Sequence, residues 1–153
     1  MRKDSLNISF DGNNHTGFTF SALPLGAARL YAAQQVDETA DSARIAVVGN
    51  SLRVLEYQLA EQEARAFQAA EFAGEVPASV QAWADAAGLS AQEAAEGILA
   101  KAAAWKIALY AVRAARLAGK QAALKAANHD EAEAVADAAI AKINASVVGL
   151  GNA

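Results

Sequence analysis

Apolar and polar positions follow two different rhythms along this chain, and the change falls near Leu23-Pro24. Before it, Leu6, Ile8 and Phe10 alternate with Asn7 and Ser9, and Phe18 and Phe20 alternate with Thr19 and Ser21. Between them lies Asp11-Gly12-Asn13-Asn14-His15-Thr16-Gly17, a run of turn formers. A period of two on both sides of a turn predicts a β-hairpin or two short strands. A lone hairpin is marginal in water. Phe10, Phe18 and Phe20 are therefore expected to rest on the helices or on another chain.

After Pro24 the rhythm becomes helical. Val36, Ala40, Ala43 and Val47 suit an amphipathic helix closing at Gly49, with Asn50 or Ser51 capping the next. Leu52, Leu55 and Leu59 start the stripe of that second helix, and Ala66, Phe67 and Ala70 continue it to Phe72, before Gly74. Pro77 opens a short helix to Ala87, with Gly88 as its stop. Ser90-Ala91-Gln92-Glu93 is a capping box, in which hydroxyl and carboxylate satisfy each other's backbone N–H groups. From there a long helix is expected to about Ala127, with Ile98, Ala102, Trp105, Leu109 and Val112 as its apolar stripe. Asp130 with Glu133 repeats the cap pattern, and a last helix carries Ala136, Ala139, Ile140, Ile143 and Val147. The expected fold is mainly α, a helical bundle of four or five helices with a short N-terminal β-hairpin or extended segment. Its divisions are a docking segment 1–24, a helical bundle domain 25–148 and a flexible tail 149–153.

Composition changes how this pattern is read. Alanine fills 43 of 153 positions, yet none of residues 1–21 is alanine. Alanine favours helix and adds little apolar area, so the composition speaks for helix more than for core. A core with five Phe, three Tyr and two Trp as its large anchors is thin enough to be completed by a partner. The net charge of −4 offers no global basic field for nucleic acid. Cysteine is absent, which removes disulfides and thiolate chemistry. The start, Met1-Arg2-Lys3-Asp4-Ser5, leads into Leu6-Asn7-Ile8 and not into the apolar stretch of a signal peptide. No uncharged apolar run has the length of a membrane span.

Candidate chemistry is sparse. Lys101, Lys106, Arg113, Arg116, Lys120 and Lys125 occupy a stretch free of acids between Glu96 and Asp130. That could be a basic face for phosphate, but acids before and after it can balance it internally. His15 reads as a turn residue and His129 as a helix-start residue, neither with the Glu-x-x-His spacing of a di-iron bundle. Gly49-Asn50-Ser51 lacks the second glycine of a nucleophile elbow, since Arg53 stands there. Trp83, Trp105 and Tyr110 could line an aromatic pocket, although large aromatics more often pin a small core. No catalytic residue, metal ligand or cofactor site is expected.

One resemblance adds a function. Val47-Val48-Gly49, Leu52-Arg53-Val54-Leu55-Glu56-Tyr57, Ala64-Arg65-Ala66-Phe67 and Gly74-Glu75-Val76-Pro77 stand in order along the chain. Val80-Gln81-Ala82-Trp83-Ala84, Gly88-Leu89-Ser90-Ala91-Gln92-Glu93-Ala94-Ala95, Ile98-Leu99, Ala103-Ala104-Trp105 and Arg113-Ala114-Ala115-Arg116-Leu117-Ala118-Gly119-Lys120 follow. Together, over about 43–125, they resemble a helical module of tailed-bacteriophage tail and tail-fibre-associated proteins. The resemblance implies a non-enzymatic structural component of a tail tip, baseplate or fibre, made in the host cytoplasm and carried in the virion tail. It also implies other tail subunits as partners and a homo-oligomer within a symmetric assembly, while net charge and the lack of a long apolar run point to no nucleic acid and no membrane as partners. The expected partner interface is Ile8, Phe10, Phe18 and Phe20, by β-augmentation of a sheet edge. The alternatives are a tail-fibre assembly chaperone absent from the mature particle, and a small-molecule-binding helical bundle using Trp83 and Trp105.

Overall fold

A computed structural model describes residues 1–49 and 51–150, and of Val48, Ser51 and Leu52 the backbone alone. The expected cap at Asn50 or Ser51, the Leu52 side chain and the tail from 151 lie outside that description. The fold is mainly helical: a two-stranded N-terminal hairpin precedes five helices.

The strands are β1 (Leu6–Phe10) and β2 (Asn13–Phe18), paired antiparallel with Phe10 opposite Asn13 and Leu6 opposite Phe18. The turn is tighter than the polar run suggested. Asp11 (φ 47°) and Gly12 (φ 73°) are both left-handed, which the two-residue hairpin turn requires and Asp-Gly supplies. Asn13 to Gly17 therefore belong to a strand, and His15 is a strand residue and not a turn residue. Their polarity is tolerated because β2 is largely exposed, whereas β1 buries Leu6 and Ile8. Phe20, read as the end of the alternation, opens a 3-10 turn over Phe20–Ala22.

The helices are α1 (Leu25–Val48), α2 (Ser51–Ala69), α3 (Ala78–Ala87), α4 (Ala91–Lys125) and α5 (His129–Ser146). Their ends follow local chemistry. Pro77 precedes α3, and Gly88 closes it in the left-handed conformation while its N–H reaches the Ala84 carbonyl. The capping box of α4 forms, with the Ser90 N–H donating to Glu93 at 2.9 Å and the Glu93 N–H to the Ser90 hydroxyl at 3.3 Å. At α5 the cap differs from expectation. Asn128, not Asp130, accepts the Glu131 N–H at 2.9 Å, and Glu131, not Glu133, accepts the Ala127 N–H at 2.6 Å. An Asn side chain two positions earlier reaches the first free N–H groups, which shifts the start to His129.

The chain divides into two compact units. Of the described residues, the first holds Met1–Ala46 and 109–150, and the second holds Val47–Ala108. Residues 25–148 are thus shared between two units, and 1–24 belongs to the first. The core of the first unit gathers Leu6, Ile8, Phe20, Leu23, Tyr31, Val36, Val112 and Ile143 among many buried alanines. The smaller core of the second joins Ala64 and Phe67 of α2, Val80 and Ala84 of α3, and Ala94 and Ala95 of α4. Val36, Ala40, Ala43 and Val47 are buried, as their spacing predicts.

Candidate functional site

The four residues expected at a partner interface are placed by the hairpin in different surroundings. Ile8 and Phe20 are buried in the first unit's core, where Phe20 stands edge-on to the His129 ring at 5.9 Å. Phe10 packs its ring over Gly26, where an added Cβ would lie 2.3 Å from the Phe10 Cζ. Phe18 alone has an exposed ring, at 36%, and it faces His15 edge-on at 5.3 Å. The physical reason is the turn after β2. It brings the Phe20 N–H to the Lys3 carbonyl at 2.8 Å and carries its ring inward, so the alternation that continues through Thr19 in sequence does not continue in space.

Helix faces supply the exposed apolar surface. On α4 the buried row is Ala108, Val112, Ala115 and Ala123, and Gly119 lies in the same row. Opposite it, Ile107, Tyr110, Ala114, Leu117, Gln121 and Leu124 are all exposed, Tyr110 by 71%. On α2 the inward row passes through Tyr57, Ala64 and Phe67, and the exposed row is Leu55, Leu59, Gln62, Ala66 and Ala69, with Leu59 exposed by 53%. Leu55, Leu59 and Ala66 were expected to share a stripe with Phe67; they lie on the other side of the helix. Tyr110 and Trp83, expected as core pins, are exposed, Trp83 by 46%. Trp105 is partly buried, with the Tyr57 ring edge-on at 4.4 Å between centroids. α2 and α4 thus carry apolar residues on their exposed sides as well as on their buried ones.

The basic stretch of α4 is partly neutralised within its own units. Arg116 donates to Asp37 at 2.9 Å, and Lys120 pairs with the other oxygen of that carboxylate. Burial alone would push the Asp37 carboxyl up, but the hydrogen bonds from Lys120 and Arg116 outweigh it and hold it below the ordinary value. Lys106 pairs with Glu61, which Arg65 also contacts at 2.6 Å, and these two donors lower the Glu61 carboxyl. Arg113 and Glu56, both exposed, have no ion-pair partner among the described residues.

Other chemistry is thin. His129 Nε2 lies 2.8 Å from the Leu23 carbonyl, a contact that ties α5 to the segment before α1. Among the described residues no group of three or more His, Asp or Glu could hold a metal ion, and no helix is long and apolar enough to cross a membrane. A depression of about 270 Å³ on the hairpin is lined by Asn7, Ile8, Ser9, Asn14, His15 and Thr16. The exposed rows of α2 and α4 carried a signal in the sequence: each repeats mostly apolar positions, broken by Gln62 and Gln121, at alternating three- and four-residue steps, opposite the buried row. Comparison with protein-family models, curated proteins and solved structures finds no match to this chain.

Proposed function

We propose that this chain is a non-enzymatic structural subunit of a larger assembly, and that the assembly is the tail of a tailed bacteriophage, at its tip, baseplate or fibre. The observation that carries the first half is the pair of exposed apolar rows on α2 and α4. Contiguous apolar surface of this kind marks interaction sites in soluble proteins. The second half rests on the resemblance over about 43–125 and on nothing in the fold. In this reading the hairpin serves its own unit through Leu6, Ile8 and Phe20, and the helices serve the neighbours.

Quantitative mass spectrometry of purified particles from the source of this chain tests the proposal. Peptides of this chain at a fixed ratio to a known tail protein support it. Abundance in the lysate with absence from particles overturns it in favour of an assembly chaperone.

A further inference from the structure

We propose that this chain pairs with further copies of itself, the exposed row of α4 in one copy packing on the exposed row of α2 in the next. The inference deepens the structural-subunit reading and rests on it.

Both rows have the spacing of a coiled-coil seam. On α4, Ile107, Tyr110, Ala114, Leu117, Gln121 and Leu124 advance by three and four residues in turn; on α2, Leu55, Leu59, Gln62, Ala66 and Ala69 do the same. In heptad terms the a positions are Ile107, Ala114 and Gln121 on α4, with Leu59 and Ala66 on α2. The residues just before the a positions of α4 are Lys106, Arg113 and Lys120, all bases seven apart. The residues just after the first two d positions of α2 are Glu56 and Glu63, both acids.

These flanks decide the partner. In a parallel pair the position before a of one helix meets the position after d of the other, so the α4 bases face the α2 acids. Two α4 rows packed antiparallel would bring bases against bases, and two α2 rows would bring acids against acids. Like charges set directly opposite disfavour both. Lys106, Lys120 and Glu63 already have contacts in their own units, to Glu61, to Asp37 and to the Ser79 N–H at 2.8 Å. Arg113 and Glu56 are exposed with no ion-pair partner among the described residues, and a second copy supplies one to each. Because the two faces differ, every copy offers one of each, the arrangement that builds rings or open stacks.

Sedimentation velocity on the purified full chain reads the outcome. The wild type is expected to sediment as a species larger than the monomer at micromolar concentration, and added salt weakens it. Tyr110→Glu and Leu59→Glu each remove one face at an exposed position and weaken association about a hundredfold. Mixing these two variants restores a one-to-one complex, because each still carries the face the other lacks. Circular dichroism checks that both remain helical. Should either unfold, Arg113→Glu gives a second reading, with association about tenfold weaker. A wild type that stays monomeric overturns the proposal, as does self-association of Leu59→Glu alone, which would mean α4 pairs with itself. A chain that is monomeric alone yet present in particles overturns self-pairing and leaves the tail reading standing. An oligomer absent from particles does the reverse.

Discussion

Gly119 of α4 and Ala139 of α5 meet so closely that a Cβ built on the glycine would lie 2.2 Å from the alanine Cβ. No side chain fits there without moving a helix, and Val36 of α1 closes the same spot at 3.5 Å. Gly97 lies earlier in the same helix and an added Cβ there meets nothing within 4 Å. The two glycines should therefore respond in opposite directions. Gly119→Ala is expected to lower stability by about 1–3 kcal/mol through overpacking, despite the better helix propensity of alanine. Gly97→Ala is expected to raise it by about 0.5–1 kcal/mol. Urea unfolding of both variants checks this, and stabilisation by Gly119→Ala would mean that α4 and α5 do not touch there.

The hairpin offers a second test. Phe20 is buried with Leu6, Ile8 and Leu23 against Tyr31 of α1 and His129 of α5. Phe20→Ala should cost about 3–5 kcal/mol, as large aromatics in cores do. Phe18→Ala, at the exposed end of β2, should cost no more than about 1 kcal/mol. A chain starting at Pro24 should lose cooperative unfolding of the first unit, because four core residues leave with the hairpin segment. Thermal unfolding followed by circular dichroism distinguishes these, and equal losses for the two phenylalanines would overturn the inward placement of Phe20.

How far the sequence could be read depended on what marked each feature. Helix extents were legible because single residues set them: Pro77, Gly88 and the Ser90–Glu93 box place α3 and the start of α4 close to where they occur. Helix facing was legible in α1, where Val36 and Val47 stand among small residues, and in α4, whose expected stripe from Ile98 to Val112 is buried or half-buried, but illegible in α2. There alanine fills both sides, and alanine marks neither inside nor outside. Leu55 and Leu59 are larger than Ala64, so they attract the expected stripe, yet Ala64 is buried and they are exposed. The buried face of α2 is chosen by Phe67 and by the close approach that alanine permits. The Asp11-Gly12 turn was hidden inside a longer polar run. The expected interface residues were separable only in space, by the turn after Thr19.

The two tryptophans should report different surroundings. Trp83 on α3 is open to water, whereas the Trp105 indole nitrogen is buried, with no hydrogen-bond partner among the described residues and the Tyr57 ring alongside. Acrylamide should quench the emission in two parts, one accessible and one protected. Trp83→Phe should abolish the accessible part, and Trp105→Phe the protected part. Uniform quenching in the wild type would contradict the burial of Trp105. Self-pairing through α2 and α4 should leave Trp83 quenching unchanged with concentration, since α3 lies in neither row.

Acid should weaken this protein through Asp37 and Glu61. Both carboxyls are held below their ordinary values, Asp37 against its own burial by hydrogen bonds from Lys120 and Arg116, Glu61 by those from Lys106 and Arg65. A carboxylate with a lowered folded-state pKa binds its proton less readily folded than unfolded. Its contribution is therefore full above the unfolded value, near pH 4, and is lost as pH falls through the lower folded value. Asp37→Asn removes the negative charge between α1 and α4 and leaves Arg116 and Lys120 with a single neutral amide oxygen to share. At neutral pH that should cost about 1 kcal/mol, the modest figure reflecting the solvent access of all three groups. The difference between wild type and variant should shrink as pH drops from 5 towards 2, because protonation removes the same charge from the wild type. Urea unfolding across that range measures it. A difference that stays constant with pH would show that the Asp37 charge takes no part in joining α1 to α4.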